Sequence, residues 1–325
     1  MDKVTLRDMS KLEMQAIRDG FGEGFLTIGA KNPDVVGLNA DLTESLRMHR
    51  FRDKYPERFF QVGIAEQNMA CIAAGLALSG KIPYIGSFAN FSPARNFDQI
   101  RTSIAMMNAN VKIVSSHSSF SHGSDGITVQ MLEDVAMLRA LPNMKVIVPA
   151  DARQTMLAAE AIANIDGPVY LRLGRNETPL LFSDDTPFNF GKAQLLREGK
   201  EITIIATGYM VFRSLLAAES LKKKGIDASV VNVHTIKPFD AEGIVAEATR
   251  TGAVVTAEEL QINGGLGEMV AGVLARSNPM PIEMVAVMDQ YGESGSPLEL
   301  AKSRNVMEDD IVKAALKVFS RKHNK

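Results

Sequence analysis

With 325 residues, the chain is long enough for about two domains of ordinary size. Its 36 Lys and Arg nearly balance 38 Asp and Glu, and the net charge of −2 excludes a general electrostatic attraction to nucleic acid or to an anionic membrane. A single cysteine excludes an internal disulfide and a cysteine-based metal cluster.

The N-terminal residues indicate the cellular compartment of the protein. Residues 1–20 are charged throughout and lack the apolar core of a signal peptide. No run reaches the roughly 18 apolar residues of a membrane span. We therefore expect a cytoplasmic protein that does not bind membranes. Cys71 lies in an Ala-rich stretch, where we expect a small buried thiol rather than a reactive one.

Short apolar runs alternate with helical patterns along the chain, which predicts an α/β protein with doubly wound parallel sheets. The first helix is expected to begin at a capping box formed by Ser10 and Glu13, with an apolar stripe from Met14 to Phe25. The predicted strands are Asp34–Asn39, Ile82–Phe88, Val111–Ser116, Lys145–Pro149, Pro168–Leu173, Ile202–Thr207, Ala228–His234, Gly252–Ala257 and Glu283–Met288. The other predicted helices are Ala65–Ser79, Ala94–Met107, Ala152–Asn164, Phe212–Lys224, Ala241–Thr249, Gly265–Arg276 and Asp309–Phe319.

A polar, proline-containing stretch, Glu177–Phe190, separates two sets of predicted strands. We expect residues 1–185 to form one α/β domain and residues 192–325 to form a second, smaller one.

Polar or aromatic side chains follow four predicted strands of the first domain. In open parallel sheets, ligands bind beyond the carboxyl ends of the strands, so these side chains predict a site if they converge at one edge. Each of them alone is better explained as an ordinary loop residue, and it is their convergence that favours a site. They are Asn39, Asp41 and Ser45, then Ser87, Phe88 and Phe91, then His117, and finally Arg172 and Arg175.

The segment Phe59–Gly80, FFQVGIAEQNMACIAAGLALSG, combines an acidic helix start with a surface of small residues. Glu66 lies in the first helical turn, where a carboxylate is favourable for the helix dipole even without another role. The small residues that follow suit close packing against a second helix or subunit.

The stretch GIAEQNMACIAAGLA resembles the glutamate motif of the transketolase group of thiamine-diphosphate enzymes. Similar blocks follow one another in the family's order over most of the chain, among them NADLTES, SFANFSPARNFDQIR, VKIVSSH, SDG, GPVYLRLGR, HTIKPFD and GGLGE. The resemblance implies that residues 1–185 form a pyrimidine-binding domain and that residues 192–325 form a transketolase C-terminal domain.

The resemblance implies that Glu66 hydrogen-bonds the ring nitrogen of the cofactor's aminopyrimidine and shares a proton with it, which requires a desolvated carboxyl group. The imino tautomer so favoured would remove the thiazolium proton. Phe88 and Phe91 correspond to the aromatic pair beside the aminopyrimidine. Asp41 and Ile64 correspond to residues that border the cofactor.

The remaining matched residues concern the substrate. The family's contacts with a sugar-phosphate tail correspond to Arg18, Ser45, His117 and Arg175, and the acid that senses the hydroxyl next to the carbonyl corresponds to Asp125. His117 and Asp125 are counted with Glu66 as catalytic. The implied reaction transfers a two-carbon ketol unit from a ketose phosphate to an aldose, as in pentose phosphate metabolism.

Three departures from the family's pattern leave the sugars open. Val129 stands where the family commonly has a histidine that contacts the donor's terminal hydroxyl. His122 occupies a position that is usually small and apolar, and is either a replacement for that contact or a solvated loop residue. Ala94 replaces an aromatic residue.

The GDG motif that binds the diphosphate and Mg²⁺ in this superfamily is absent from the sequence. We therefore expect no metal ligand in this chain and an N-terminal transketolase subunit as its partner, in an α2β2 heterotetramer.

Three alternatives remain open. The first two are a deoxyxylulose-phosphate synthase, which usually has a DRAG-like segment where this chain reads SHSS, and the beta subunit of a 2-oxoacid dehydrogenase, which lacks the GIAEQN pattern. The third is a non-catalytic relic of the fold.

Overall fold

The computed structural model describes residues 1–323, which form two large sheets covered by helices and one two-stranded ribbon. The strands are β1 (Asp2–Lys3), β2 (Met14–Ala16), β3 (Val35–Asn39), β4 (Phe59–Gln61), β5 (Ile82–Phe88), β6 (Lys112–Ser116), β7 (Lys145–Ile147), β8 (Val169–Arg172), β9 (Glu177–Pro179), β10 (Gln194–Arg197), β11 (Ile202–Ala206), β12 (Ala228–Asn232), β13 (Thr235–Lys237), β14 (Val254–Gln261) and β15 (Ile282–Val287). The helices are α1 (Ile17–Lys31), α2 (His49–Lys54), α3 (Glu66–Leu78), α4 (Phe97–Gln99), α5 (Asp134–Arg139), α6 (Ala152–Ala161), α7 (Met210–Lys222), α8 (Ala241–Thr251), α9 (Leu266–Ser277), α10 (Pro297–Ser303) and α11 (Glu308–His323). Short 3-10 turns cover Pro56–Arg58, Phe120–Asp125 and Ile162–Asn164, and π-helical turns cover Asn90–Arg95 and Ile100–Ala105.

The first sheet has the order β13-β7-β8-β6-β5-β3-β4, and every pairing except that of β13 with β7 is parallel. Successive residues of one strand belong to different apolar clusters, one on each face of the sheet. Val35 packs with residues of α1 and α6, whereas Val36 packs with residues of α3. The sheet is therefore buried on both faces, which explains why its strands are continuously apolar and confirms the predicted doubly wound architecture.

The second sheet has the order β1-β10-β12-β11-β14-β15, in which β12, β11, β14 and β15 run parallel and β10 runs antiparallel to β12. Each sheet also holds a strand from the other part of the chain. β1 pairs with β10, and β13 pairs with β7. One apolar cluster contains residues of both sheets, so the core continues across the boundary between them.

The helix predicted from the capping box at Ser10 was wrong. Ser10 donates to the Asp8 carboxylate instead, and α1 begins only at Ile17. The preceding residues Met14–Ala16 pair antiparallel with Glu177–Pro179, so the proline-containing stretch predicted to separate the domains begins with a short strand. The strand pairing with a distant segment therefore prevails over the helix that the local sequence favours.

Two further expectations were wrong. The segment Ala94–Met107 is not one α-helix but two π-helical turns joined by the short α4. Cys71 is exposed rather than buried, because α3 turns only part of its circumference toward the sheet.

Close contact between α1 and α6 places the start of α1 against the sheet edge. An ideal Cβ on Gly20 would lie 1.9 Å from the carbonyl oxygen of Ala152, so only glycine permits this approach. None of the helices within residues 1–323 is both long and apolar enough to cross a membrane.

Candidate active site

Most of the side chains singled out from the sequence gather at one edge of the first sheet. Arg172 is an exception, because it is buried in ion pairs with Asp134 and Glu259. Arg18 lies at the start of α1, and the others have a common origin. They follow the carboxyl ends of β8, β6, β5, β3 and β4, which are five consecutive strands of the sheet. β3 leads to β4 on one side, whereas β5 leads to β6 on the other. The crevice between β3 and β5 is therefore a topological switch point, the place where such sheets bind ligands.

Glu66 is the first residue of α3 and is only 2% exposed. Its Oε2 lies 3.1 Å from Nη1 of Arg95, and its backbone carbonyl accepts a hydrogen bond of 3.1 Å from Nδ2 of Asn96. A buried carboxylate needs such partners because it has lost its hydration. The buried Oδ1 of Asn96 has no hydrogen-bond partner among the described residues, which leaves one free acceptor beside Glu66.

An aromatic group lies next to this carboxylate. The rings of Phe88 and Phe91 are nearly parallel, with centroids 6.0 Å apart, and the guanidinium of Arg95 lies 4.5 Å from the centroid of Phe91. The His117 ring packs on the other part of the group, 3.8 Å from Phe88. Flat rings and a carboxylate thus form one continuous wall of the crevice.

Arginines gather at the far end of the crevice. Burial lowers the pKa of Arg18, and repulsion by Arg47 and Arg175 lowers it further. Arg18 donates to the carbonyl of Ser45 at 3.0 Å, while its buried Nε has no hydrogen-bond partner within residues 1–323. Cations held this close together despite their repulsion suit a multivalent anion.

His117 shares that positive field. Burial, followed by the charges of His122, Arg18, Arg175 and Arg47, lowers its pKa to about 2. The imidazole is consequently neutral near pH 7, and its Nδ1 lies 2.7 Å from the hydroxyl oxygen of Ser116. A neutral histidine in this position can both donate and accept a hydrogen bond.

His122 is buried in the crevice and is not a solvated loop residue. Its ring meets Phe88 edge-on at 5.0 Å and lies 4.9 Å from the ring of His117. Nδ1 lies 3.0 Å from Oδ2 of the exposed Asp125, and Nε2 is buried without a hydrogen-bond partner in the described part of the chain. Burial lowers the pKa of His122. The turn Phe120–Asp125 therefore brings His122 and Asp125 to the same place.

Asp41 and Ile64 lie at the other rim, after β3 and β4. Gln61 joins the two loops, because its Oε1 accepts from the backbone N–H of Asp41 at 2.8 Å and from that of Gly63 at 3.4 Å. Both site side chains point outward, and Ile64 is 75% exposed. No hydrogen bond or ion pair within residues 1–323 joins either side chain to Glu66.

Two charged residues of the site were missed from the sequence. Arg47 makes an ion pair with Asp19 and belongs to the arginine cluster, and Arg95 is the partner of Glu66. Each arginine pairs with a carboxylate that is distant along the chain, so no spacing of residues in the sequence identifies either pair. Arg95 lies within the segment SFANFSPARNFDQIR that resembles the family, but nothing in that segment singles it out.

One side of the crevice is open. Ile72, Gly75 and Leu78 of α3 are exposed. The π-helical turn Ile100–Ala105 packs on α3, and the two residues that follow it, Met106 and Met107, are also exposed. Monomeric proteins seldom leave so many large apolar residues exposed on neighbouring elements.

Models of two protein families match the chain. Residues 13–179 match the transketolase pyrimidine-binding domain, and residues 191–311 match the transketolase C-terminal domain.

Named relatives are similar over nearly their whole length. The chain is 42% identical to the 6-deoxy-6-sulfo-D-fructose transketolase subunit SqwH of Clostridium sp. (strain MSTE9), over 96% of this chain and 97% of that protein. It is 35% identical to an apulose-4-phosphate transketolase subunit of Phocaeicola vulgatus, over 93% and 97%. Among solved structures, a split-gene transketolase described as an inactive beta4 tetramer superposes with a TM-score of 0.87 and 43% identity, covering 94% of this chain and 99% of that one.

Proposed function

Because the chain belongs to the transketolase family, we propose that it is the pyrimidine-binding half of a split transketolase that uses thiamine diphosphate. The complex would transfer a two-carbon ketol unit from an anionic ketose to an aldose. The single observation that carries this proposal is the buried Glu66 at the start of α3, held beside an aromatic wall and an open apolar surface. The helix dipole favours a carboxylate at that point but does not require it to be buried.

The residues of the crevice fit the aminopyrimidine end of the cofactor. Glu66 would hold a proton at the ring nitrogen, and Phe88 and Phe91 would pack against the flat ring. Asp41 and Ile64 would border the cofactor at the rim. When bound, thiamine diphosphate supplies the nucleophilic carbon and the electron sink for the reaction.

The diphosphate and its Mg²⁺ would lie on the partner. Residues 1–323 contain no group of three or more His, Cys, Asp or Glu side chains arranged to hold a metal ion, and the sequence contains no GDG motif. The exposed apolar residues of α3 offer a surface for a second chain. We infer an N-terminal transketolase subunit as that chain, in an α2β2 assembly.

The arginine cluster supports a donor with an anionic tail. Arg18 and Arg175 would bind the tail, with Ser45 and His117 adding hydrogen bonds and the unpredicted Arg47 adding charge. A phosphate tail fits the pentose phosphate chemistry that we propose for a cytoplasmic enzyme. The sulfonated sugar in the name of one relative makes a sulfonate tail the second candidate.

The reacting end of the donor would meet Asp125 and His122. The two side chains lie 3.0 Å apart, and Nε2 of His122 is buried without a protein partner in the described part of the chain. A substrate hydroxyl would satisfy that nitrogen. Val129 lies in the following turn and has no polar side-chain group, so we assign to His122 the contact that the family's histidine makes.

The family models support the domain boundary that we propose between residues 185 and 192, because their matches end at 179 and resume at 191.

The test is co-purification with a separately encoded N-terminal transketolase subunit, followed by cofactor binding and ketol transfer. Xylulose 5-phosphate, apulose 4-phosphate and 6-deoxy-6-sulfofructose should be compared as donors. We expect transfer only when both chains, thiamine diphosphate and Mg²⁺ are present. A complex that assembles but fails to bind the cofactor would favour a non-catalytic relic.

A further inference from the structure

The loop that follows β3 contains an arginine with an unusual backbone conformation. The backbone N–H of Met48 donates to the carbonyl of Thr43 at 2.9 Å, and that of Arg47 donates to the carbonyl of Glu44 at 3.1 Å. These two bonds form a Schellman motif, which places Arg47 at the left-handed position with a φ of 61°. Glycine is the usual residue there, because a Cβ is strained at positive φ.

Contacts with α1 hold Arg47 in this conformation. Its Nε donates to Oδ1 of Asp19, and the two backbones approach so closely that an ideal Cβ on Gly22 would lie 2.6 Å from Cβ of Arg47. Non-glycine residues with a strained backbone are concentrated at binding and catalytic sites. A glycine would end this turn with less strain, so the arginine indicates a use for its guanidinium.

The guanidinium of Arg47 belongs to the group of arginines at the far end of the crevice. Next to Asp19 on α1, Arg18 donates to the carbonyl of Ser45 at 3.0 Å, so two contacts join α1 to this loop. The buried Nε of Arg18 has no hydrogen-bond partner within the described residues. Burial lowers the pKa of Arg18 most, and repulsion by Arg47 lowers it more than repulsion by Arg175 does. Cations held together beside an unpartnered donor suit an anion.

The charges at this end of the crevice indicate which anion fits. The charges that act on Arg18 are those of Arg47, Arg175 and Asp19. Three guanidiniums and one carboxylate leave two net positive charges. His117 adds none near pH 7, because burial and then the positive charges around it lower its pKa to about 2. A phosphate monoester carries close to two negative charges at that pH and balances the group, whereas a sulfonate carries one.

Other carboxylates close by in the sequence do not change this balance. Glu44 pairs with Arg52 at 2.8 Å. Glu177 is exposed at the start of β9. Among the described residues, neither of these two carboxylates contributes to the shifted pKa of Arg18 or of His117.

We propose that Arg47 is a specificity-determining residue of the donor site, which it makes selective for a phosphate tail over a sulfonate tail. This inference rests on the proposed function, because it concerns the tail of the same donor. Arg47 supplies the charge that makes the group doubly positive, and Asp19 fixes its guanidinium beside the start of α1. Without Arg47 the group carries one net positive charge, which a sulfonate balances.

The purified full chain should be titrated with methyl phosphate and with methanesulfonate at pH 7.5 and low ionic strength, with binding followed by NMR shifts. We expect methyl phosphate to bind about 10-fold more tightly, as one more unit charge facing a positive group implies. Arg47→Gln should weaken the binding of methyl phosphate by about 10-fold and that of methanesulfonate far less. Arg50→Gln, which removes an exposed charge from α2, should leave both affinities unchanged.

Arg47→Gly separates the charge of the side chain from its effect on folding. It removes the same charge as Arg47→Gln but relieves the strained backbone, so its urea midpoint should be the higher of the two. Both variants should lose the preference for methyl phosphate to the same extent. A loss in the less stable variant alone would show an effect of folding and would overturn the inference.

Equal affinity of the unaltered chain for the two anions, or a preference for methyl phosphate that survives in both Arg47 variants, would also overturn it while leaving the proposed transketolase function intact. Absence of binding of either anion would refute this inference together with the anionic donor tail. The measurement requires neither the partner subunit nor ketol transfer, because every residue of the arginine group belongs to this chain.

Discussion

Nη1 of Arg95 lies 3.1 Å from Oε2 of Glu66, and the two side chains differ sharply in exposure, because the glutamate is buried while the arginine is about half exposed. The pair therefore joins the interior of the crevice to its open side. A chain that covered the opening would desolvate Arg95, whereas Glu66 is already buried.

Glu66→Gln should reduce the turnover of the assembled complex by at least about 100-fold, the usual contribution of a positioned acid–base group. Glutamine keeps the size of the side chain, so the complex should still assemble and bind the cofactor. Turnover and cofactor affinity are measured on the same preparation. Glu57→Gln, on the exposed turn before β4, is the control, and near-normal turnover in Glu66→Gln would refute the assignment.

Arg175→Gln should raise KM for phosphorylated or sulfonated donors by about 10–100-fold, as loss of a charge-assisted contact implies. An uncharged donor such as erythrulose should be affected far less, because it has no tail to bind. Arg276→Gln, exposed on α9, controls for net charge. An equal loss with both kinds of donor would show that Arg175 does not bind the tail.

The chain should lose stability as pH falls below about 6.5, the ordinary histidine value. Burial lowers the pKa of His117 to about 2 and that of His234 to about 4, so the unfolded chain binds protons that the folded chain does not. Each of the two histidines therefore lowers the free energy of unfolding by up to about 1.4 kcal/mol per pH unit below pH 6.5. Burial raises the pKa of Glu258 to about 7, so the folded chain protonates it before the unfolded chain does, and this offsets about one of the two histidines between pH 7 and 4.5. Urea unfolding between pH 7.5 and 5 measures the slope.

His117→Asn should make that slope shallower, since asparagine does not titrate. Its readout is stability, so the experiment is independent of catalysis. A slope identical to that of the unaltered chain would mean that folding does not lower the pKa of His117.

Gly20→Ala should destabilise the chain by about 1–3 kcal/mol, because the new Cβ meets the backbone oxygen of Ala152 and α1 must shift from α6. Gly75→Ala is the matched control within a helix. No atom lies within 4 Å of its Cβ, so it should stabilise the free chain by about 0.5–1 kcal/mol. Denaturant midpoints compare the two, and equal effects would contradict the packing argument.

Gly75→Arg should prevent assembly with the partner while leaving the free chain folded. Gly75 is exposed on the face of α3 that carries Ile72, which we propose as the contact surface. Size-exclusion chromatography of the mixed chains provides the measurement. Normal assembly of the variant would place the partner elsewhere.

Strand positions could be predicted well from the sequence because buried parallel strands are continuously apolar. β5 was predicted with its observed bounds, Ile82–Phe88, and seven of the other eight predicted strands with errors of one or two residues at an end. Six short strands of the described structure, β1, β2, β4, β9, β10 and β13, were not predicted. The rest depended on contacts between distant segments. The start of α1 was missed because Met14–Ala16 pairs with Glu177–Pro179, a preference that neither segment shows alone.

The sequence predicted which residues form much of the site, but it did not predict which of them contact one another. Phe88, Phe91 and His117 were singled out because they follow strand ends, and the structure packs them together. Arg47 and Arg95 were not, since an arginine in a polar loop looks like any solvated charge until its partner is known. His122 was ambiguous for the same reason, and its burial against Phe88 decided against a solvated residue.

The exchange of β1 and β13 between the two sheets restricts how this chain can be divided. A cut in the segment 185–192 would take Asp2–Lys3 away from β10 and Thr235–Lys237 away from β7, which exposes unpaired backbone on both fragments. The two halves are thus poor candidates for exchange as separate genetic modules. A division of the gene that keeps all of these strand pairs within one chain must fall outside the segment between β1 and β13.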